Sequence, residues 1–228
     1  MPCNIGYKEV ARARIPKPVP KKFKATVKPP EIDRDLLEKI GEEDPAFIEW
    51  ASELNIRPLL EEALSRALKS VGDIQGVEVR INEDGSLEIT GKHTDDYGKK
   101  RLEKFTKELS DRFQMEVLGI VAELLEYEVE ISKETEEGQS NLVLEAEKHQ
   151  HSHGHVNRYL KITKGEGDEE GSLRFEHFAS PEELKSEKEK FLALAQKMGV
   201  KLNLETTEKS GQPITNDAVH THFLKGRG

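Results

Sequence analysis

The stretch VEVRINEDGSLEITG, residues 77–91, indicates the fold class. Apolar residues alternate with polar ones on both sides of a central Asp84-Gly85, which is the two-residue period of a strand with one buried face. Asp-Gly is a preferred dipeptide of β-hairpin turns. We therefore predict a hairpin whose inward positions are Val77, Val79, Ile81, Leu87 and Ile89.

Helical spacing follows the hairpin. Apolar residues recur every three or four positions, which predicts one long amphipathic helix over about residues 96–126. The residues that carry this spacing are Leu102, Phe105, Leu109, Phe113, Val117, Ile120 and Leu124. Alternation returns at 127–131 and 142–144, and we expect strands there.

Part of this pattern recurs 86 residues later. The triplets GSL (85–87) and EKF (103–105) reappear at 171–173 and 189–191. The shared offset indicates an internal repeat in which each copy is a hairpin followed by a helix. After the second helix, Met198-Gly199 predicts a helix end and residues 200–204 predict a further strand.

Shorter helices are expected between residues 33 and 72. Gly41 suits the end of the first, and Asp44-Pro45 places a good N-cap residue before proline at the first helical position of the second. Pro58 is expected to open a third helix that Gly72 ends. The predicted fold class is α+β: an N-terminal extended basic strap, a small helical layer, then two β-β-α units on a mainly antiparallel sheet.

The first 30 residues differ from the rest of the chain in charge. They carry eight cations against one acid, Glu9, a net charge of +7 that leaves −16 on the other residues of a chain whose formal charge is −9. In this leader, Pro16, Pro18, Pro20, Pro29 and Pro30 argue against a helix and against a central strand. We expect it to bind a partner, or the acidic body of its own or a neighbouring subunit, through Lys8, Arg12, Arg14, Lys17, Lys21, Lys22, Lys24 and Lys28.

Four segments are predicted. They are an extended basic, proline-rich arm (1–32), a unit with helices, hairpin and long helix (33–126), a β-rich unit with the second repeat (127–208) and a C-terminal tail (209–228).

Two groups of uncharacterised proteins resemble parts of this chain. The hairpin at 77–91 with its following helix resembles a short bacterial family built as a hairpin with a D-G turn plus one helix. GSLRFEHF (171–178), AQKMG (195–199) and VKLNLE (200–205) resemble the C-terminal half of a conserved hypothetical family of cyanobacteria, plastids and other bacteria. The resemblance covers less than half the chain. It implies association with other proteins, with an AAA-type ATPase as one suspected partner.

Histidines occupy every second position from 149 to 155, and two more follow near the end of the chain. Imidazole nitrogens at this spacing suit Zn²⁺ or Ni²⁺, and the alternative is a solvated connection. Glu145, Glu147 and the four histidines all occupy odd positions, so we expect the histidines on the same exposed face of an extended segment. Because histidine gains charge below about pH 7, a pH-sensitive contact is a further alternative. The candidate ligands are His149, His151, His153, His155, His220 and His222.

Signals for catalysis are absent from the sequence. Cys3 is the one cysteine, no G-x-S-x-G motif occurs, and the acidic stretch 165–171 lacks the spacing of a phosphate-binding loop. We therefore expect a non-enzymatic protein.

A location in the cytoplasm is also expected. Residues 1–30 lack the apolar core of a secretory signal, and no run of about 20 apolar residues occurs.

The predicted function is protein interaction or assembly, with self-association or a protein partner. Two alternatives stay open. The first is metal binding through the histidines, and the second is nucleic-acid association through the basic arm.

Overall fold

A computed structural model describes the chain over residues 6–14, 34–72, 74–82, 85–91, 96–136, 139–149, 157–166 and 170–212. Within these ranges lie five helices: α1 (Arg34–Glu43), α2 (Pro45–Glu53), α3 (Ile56–Val71), α4 (Asp96–Leu124) and α5 (Pro181–Lys197). The eight strands are β1 (Gly6–Arg14), β2 (Val77–Ile81), β3 (Leu87–Gly91), β4 (Glu128–Glu136), β5 (Gln139–Lys148), β6 (Arg158–Gly165), β7 (Glu170–Phe178) and β8 (Asn203–Gln212).

Six strands form one antiparallel sheet in the order β4-β5-β6-β7-β1-β8, and β2 and β3 form a separate hairpin. The α+β class is confirmed. Both repeats fold as a hairpin followed by a helix, β2-β3-α4 and β6-β7-α5. The expectation that they share a sheet is wrong, because the first hairpin pairs only with itself among the described strands.

The hydrophobic core lies between the sheet and two helices. α4 contacts β4 and β5, whereas α5 contacts β7 and β1. On the side away from the sheet, a second helical layer covers these two helices, since α3 packs on α4 and α1 packs on α5. The second half of α4 is therefore enclosed from both sides, and residues 115–122 are all buried.

Local sequence explains the helix ends. Asp44 caps α2 by accepting a hydrogen bond from the Phe47 amide at 3.0 Å, with Pro45 at the first helical position as predicted. Gly72 ends α3, also as predicted. Two helix ends differ from the prediction. α3 begins at Ile56, because Asn55 is its cap, and α1 continues past Gly41 to Glu43.

The leader contains an internal strand, which the sequence analysis argued against. Residues 6–14 pair with β7 on one side and β8 on the other. Of the six prolines among residues 1–30, Pro2 lies before this strand and the other five lie after it, so every amide of β1 can donate to a neighbouring strand. Residues 3–15 contain no proline and are long enough to form a strand, although the leader as a whole is rich in proline.

The last strand also begins later than expected. Gly199, at φ +87°, follows α5, and the Val200 amide donates to the Ala195 carbonyl at 2.9 Å. This hydrogen bond is typical of a helix C-terminus with a left-handed residue. Val200 thus closes the helix end and enters the core, and β8 starts at Asn203.

A buried charged group joins the sheet to α4. Lys164 on β6 is fully buried, and its Nζ donates to Asp111 Oδ1 and, at 3.2 Å, to Gln114 Oε1. Gly171 lies opposite Lys164 on β7, and a Cβ at Gly171 would lie 2.8 Å from the Thr163 carbonyl oxygen. The repeated glycine thus permits close strand approach here, whereas Gly85 adopts φ +78° beside the first turn.

Replacing Lys164 with methionine should lower the free energy of unfolding by about 3–5 kcal/mol, because the buried Asp111 carboxylate would lose its cation. The double variant Lys164→Met/Asp111→Leu should recover most of that loss. Urea unfolding at pH 7 measures both. If both variants lost the same free energy of unfolding, the cost would not come from the unpaired Asp111 carboxylate.

Asp44 predicts a pH dependence. The hydrogen bond from Lys190 lowers the Asp44 pKa, and the Phe47 amide adds to this. A carboxyl with a lowered folded-state pKa stabilises the fold above its unfolded pKa of about 4, and this stabilisation is lost as the pH falls through the lowered value. Asp44→Asn keeps the cap but not the charge, so its unfolding midpoint in urea should fall less than the wild-type midpoint between pH 6 and pH 2.5. Identical pH profiles would overturn this assignment.

Candidate interaction surface

The two faces of strands β4 to β7 differ in character. One face lies under α4 and α5 and contributes Leu142, Leu144 and Ala146 of β5 to the core. No helix of the described chain packs on the opposite side, which we call the outer face. The outer face carries Glu128, Glu130, Ser132, Val143, Glu145, Glu147, Tyr159, Lys161, Thr163, Ser172, Arg174 and Glu176.

Four glutamates on β4 and β5 lie in two directly opposed pairs on this face. Glu128 is the cross-strand partner of Glu147, and Glu130 is the partner of Glu145. We call these four residues the acidic quartet. Directly opposed side chains have Cβ atoms about 4.5–5.5 Å apart, and like charges at that separation destabilise a sheet.

The core enforces this arrangement. Leu144 and Ala146 are 0% and 1% exposed, so the residues between and after them must point outward. Val129 and Ile131 pack against the same core, which directs their neighbours Glu128 and Glu130 outward. Moving the glutamates apart by a one-residue slip would expose the apolar side of β5.

Glu145 is the quartet member with a full set of polar partners. Lys161 Nζ lies 2.8 Å from Glu145 Oε1, and the Tyr159 hydroxyl donates to the same oxygen at 2.5 Å. The hydrogen bond from Lys161, followed by that from Tyr159, lowers the pKa of Glu145. Burial, together with the nearby carboxylate, raises the pKa of Tyr159.

The other quartet members have weaker neighbours. His149 Nε2 lies 3.7 Å from Glu128 Oε2, and Asn157 Nδ2 donates to Glu147 Oε2 at 3.4 Å. Within the described ranges, Glu130 and Glu147 form no ion pair, and the Glu128 side chain is 80% exposed. The quartet is thus only partly neutralised.

The helix-covered face shows how this sheet handles a like-charged pair. Lys148 and Arg158 are also directly opposed, at the ends of β5 and β6. Helix α5 supplies Glu187, whose two oxygens lie 3.6 Å from Lys148 Nζ and 3.7 Å from Arg158, and Glu183, which contacts the Arg158 guanidinium. Glu126, between α4 and β4, adds a carboxylate 3.4 Å from Lys148 Nζ. The packed helix therefore neutralises Arg158 and shares the neutralisation of Lys148.

Tyr127 completes this end of the core. It is 4% exposed, and burial, with the Glu187 charge as the next cause, raises the pKa of its hydroxyl. Lys148 Nζ lies 5.7 Å from the ring centroid of Tyr127, and Arg158 lies 5.5 Å from that of Phe178. Both cations are held against aromatic rings as well as carboxylates.

The predicted site residues are placed only in part. His149 follows β5 with 55% of its side chain exposed, as its parity predicts. Lys8, Arg12 and Arg14 lie on β1, the internal strand. Outside the described residues are His151, His153, His155, His220, His222, Lys17, Lys21, Lys22, Lys24 and Lys28.

Sequence reasoning identified Glu145 and Glu147 as a polar face but missed the quartet. The alternation in β5 shows which way those two residues point. The pairing with Glu128 and Glu130 depends on the register of β4 against β5, and the loop length between the strands was the one signal that could have indicated it.

In the part of the chain that the structure describes, no group of three or more histidine, cysteine, aspartate or glutamate side chains is placed to hold a metal ion. A search of the same residues for a helix with the length and apolarity to cross a bilayer finds none.

Comparison with known proteins yields no match: no family model, no curated protein and no solved structure is similar to this chain at a significant level. The suspected AAA-type ATPase partner therefore stays a prediction.

The pKa of Glu145 tests whether Lys161 or Tyr159 stabilises its carboxylate more strongly. Lys161→Met should raise the Glu145 pKa, because the largest stabilising contact of the carboxylate is lost. Tyr159→Phe should raise it less, since the tyrosine hydrogen bond ranks second. Carbon-detected NMR titration of the glutamate carboxyl groups measures both shifts. The reverse order would show that the phenol, and not the ammonium group, holds the carboxylate.

Proposed function

We propose that this protein is a non-enzymatic assembly protein whose outer face binds a cationic segment of polypeptide. The observation that carries the proposal is the acidic quartet. Two consecutive glutamate pairs are held opposite one another by the core, on a sheet face over which the described chain places no helix.

The helix-covered face supplies the physical argument. There, the opposed Lys148 and Arg158 are neutralised by glutamates, most of which belong to the helix packed on them. The quartet has the same opposed geometry with the sign reversed, so a cationic layer is the complementary occupant. Such a layer would remove a repulsion that the isolated sheet retains.

The chemistry of the outer face selects the class of partner. Its acidic residues outnumber Lys161 and Arg174, so phosphate polymers are repelled from this surface. A nucleic-acid role could act only through the basic arm, and metal binding only with histidines outside the described residues. Both alternatives stay predictions.

Binding of a defined cationic probe tests the proposal. A ten-residue oligolysine should bind the full chain at low salt, and binding should weaken as salt rises, since exposed charges are screened beyond about 8 Å at physiological ionic strength. Changing all four quartet residues to glutamine should weaken binding by roughly tenfold or more, at about 0.3–0.5 kcal/mol for each exposed charge. Isothermal titration calorimetry measures the affinity.

A matched variant controls for net charge. Glu38, Glu42, Glu49 and Glu53 are exposed on α1 and α2, in the layer farthest from the sheet. Changing these four to glutamine removes the same charge and should reduce oligolysine affinity by less than about threefold. Equal losses in the two variants would mean that oligolysine responds to overall charge, and the proposal would fail.

A further inference from the structure

We infer that the cationic segment bound by the acidic quartet is residues 15–30 of a second copy of this chain. This inference rests on the proposed function and specifies the occupant of the outer face. The segment contains five lysines, Lys17, Lys21, Lys22, Lys24 and Lys28, and no acidic residue. Its charge is opposite to that of the quartet.

β1 fixes where the segment begins. Arg14 is the last residue of β1, and its Cα partners are Glu170 and Asn203. The register connects Glu130, Glu145, Lys161, Arg174 and Val10 in one row across the sheet. The segment therefore leaves the sheet four residues beyond the row that contains half of the quartet, and three to four strands away from it.

These positions limit a route within one chain. Nineteen residues, 15–33, connect Arg14 to Arg34 at the start of α1, and they span at most about 65 Å. Reaching the quartet takes about 23 Å, from strand spacings of about 4.8 Å and a rise of about 3.3 Å per residue.

The return route is longer, because α1 packs on α5 behind the sheet. The chain would have to pass the edge or end of the sheet and two layers about 10 Å apart before it reaches α1. Within one chain, the quartet is fixed relative to both ends of the segment, Arg14 and Arg34. A second copy can place its quartet anywhere along the segment, which favours docking between copies.

Reciprocal exchange gives a closed assembly. Each copy offers one cationic segment and one acidic face, so two copies satisfy each other around a two-fold axis. The expected assembly is a dimer of about twice the 25.8 kDa chain mass, and it should dissociate at high salt because the contact is ionic.

The structure also determines which experiment is informative. Deleting residues 1–30 would remove β1 from the interior of the sheet, so a lost assembly could reflect a lost fold. Substitutions confined to residues 15–30 leave β1 intact. The variant with Lys17, Lys21, Lys22, Lys24 and Lys28 changed to glutamine tests the segment itself.

Carbodiimide cross-linking of mixed isotopic copies tests the inference. Unlabelled and ¹⁵N-labelled full-length chains are mixed at high salt, returned to low salt and linked by zero-length lysine–glutamate bonds. We expect peptides that join residues 15–30 to the quartet, with about half of them pairing a light with a heavy chain. Links confined to one isotope, or no links to the quartet, would overturn the inference.

Light scattering at low salt supplies the second readout. The five-lysine variant should have the mass of one chain. A control with Lys39, Lys100, Lys104, Lys107 and Lys201 changed to glutamine, all exposed residues of the described chain, should keep the dimer mass. A dimer mass for the five-lysine variant, or a single-chain mass for the unaltered protein, counts against the inference.

The two proposals fail differently. If oligolysine binding depends on the quartet but no light–heavy links form, the outer face binds cationic segments and the occupant is another protein. If the quartet and control variants lose oligolysine equally, the outer face is not the binding surface and the proposed function itself is wrong.

Discussion

The alternation of β5 is the constraint on which the rest of this structure depends. Leu142, Leu144 and Ala146 fill the space beneath α4 and α5, and that burial fixes the strand's orientation. The register against β4 then places glutamate opposite glutamate, because a slip that separated the charges would expose the apolar side. Burial of the apolar residues of β5 thus determines which charged residues lie opposite one another on the outer face.

α5 shows how the same fold neutralises charge where it is covered. Its glutamates contact the cations at the end of the sheet, while Lys185, Lys190 and Lys197 reach Glu43, Asp44 and backbone carbonyls of α2. α5 therefore directs glutamates toward the cations of the sheet and lysines toward the layer formed by α1 and α2. The outer face has the charge pattern of such a layer boundary. No helix of the described chain packs on it, although Val143 on this face is fully buried.

Much of the fold follows from local patterns in the sequence. The hairpin at 77–91, the long helix and the cap at Asp44 each depend on residues within a few positions of one another, so periodicity and turn chemistry predict them. β1 could not be predicted in this way, because its two neighbours come from residues 170–178 and 203–212. The Lys164–Asp111 contact is equally non-local. Lys164 shares the parity of Leu160 and Ile162, which indicates the core face, but its partner lies 53 residues away and no local pattern identifies it.

The central claim is that the quartet, and not the overall negative charge of the protein, binds cationic polypeptide. Calorimetric titration of oligolysine into the quartet-to-glutamine variant and into the variant altered at Glu38, Glu42, Glu49 and Glu53 tests this claim most directly. The account predicts roughly tenfold or greater weakening in the first variant and less than about threefold in the second. Equal weakening in both would contradict it.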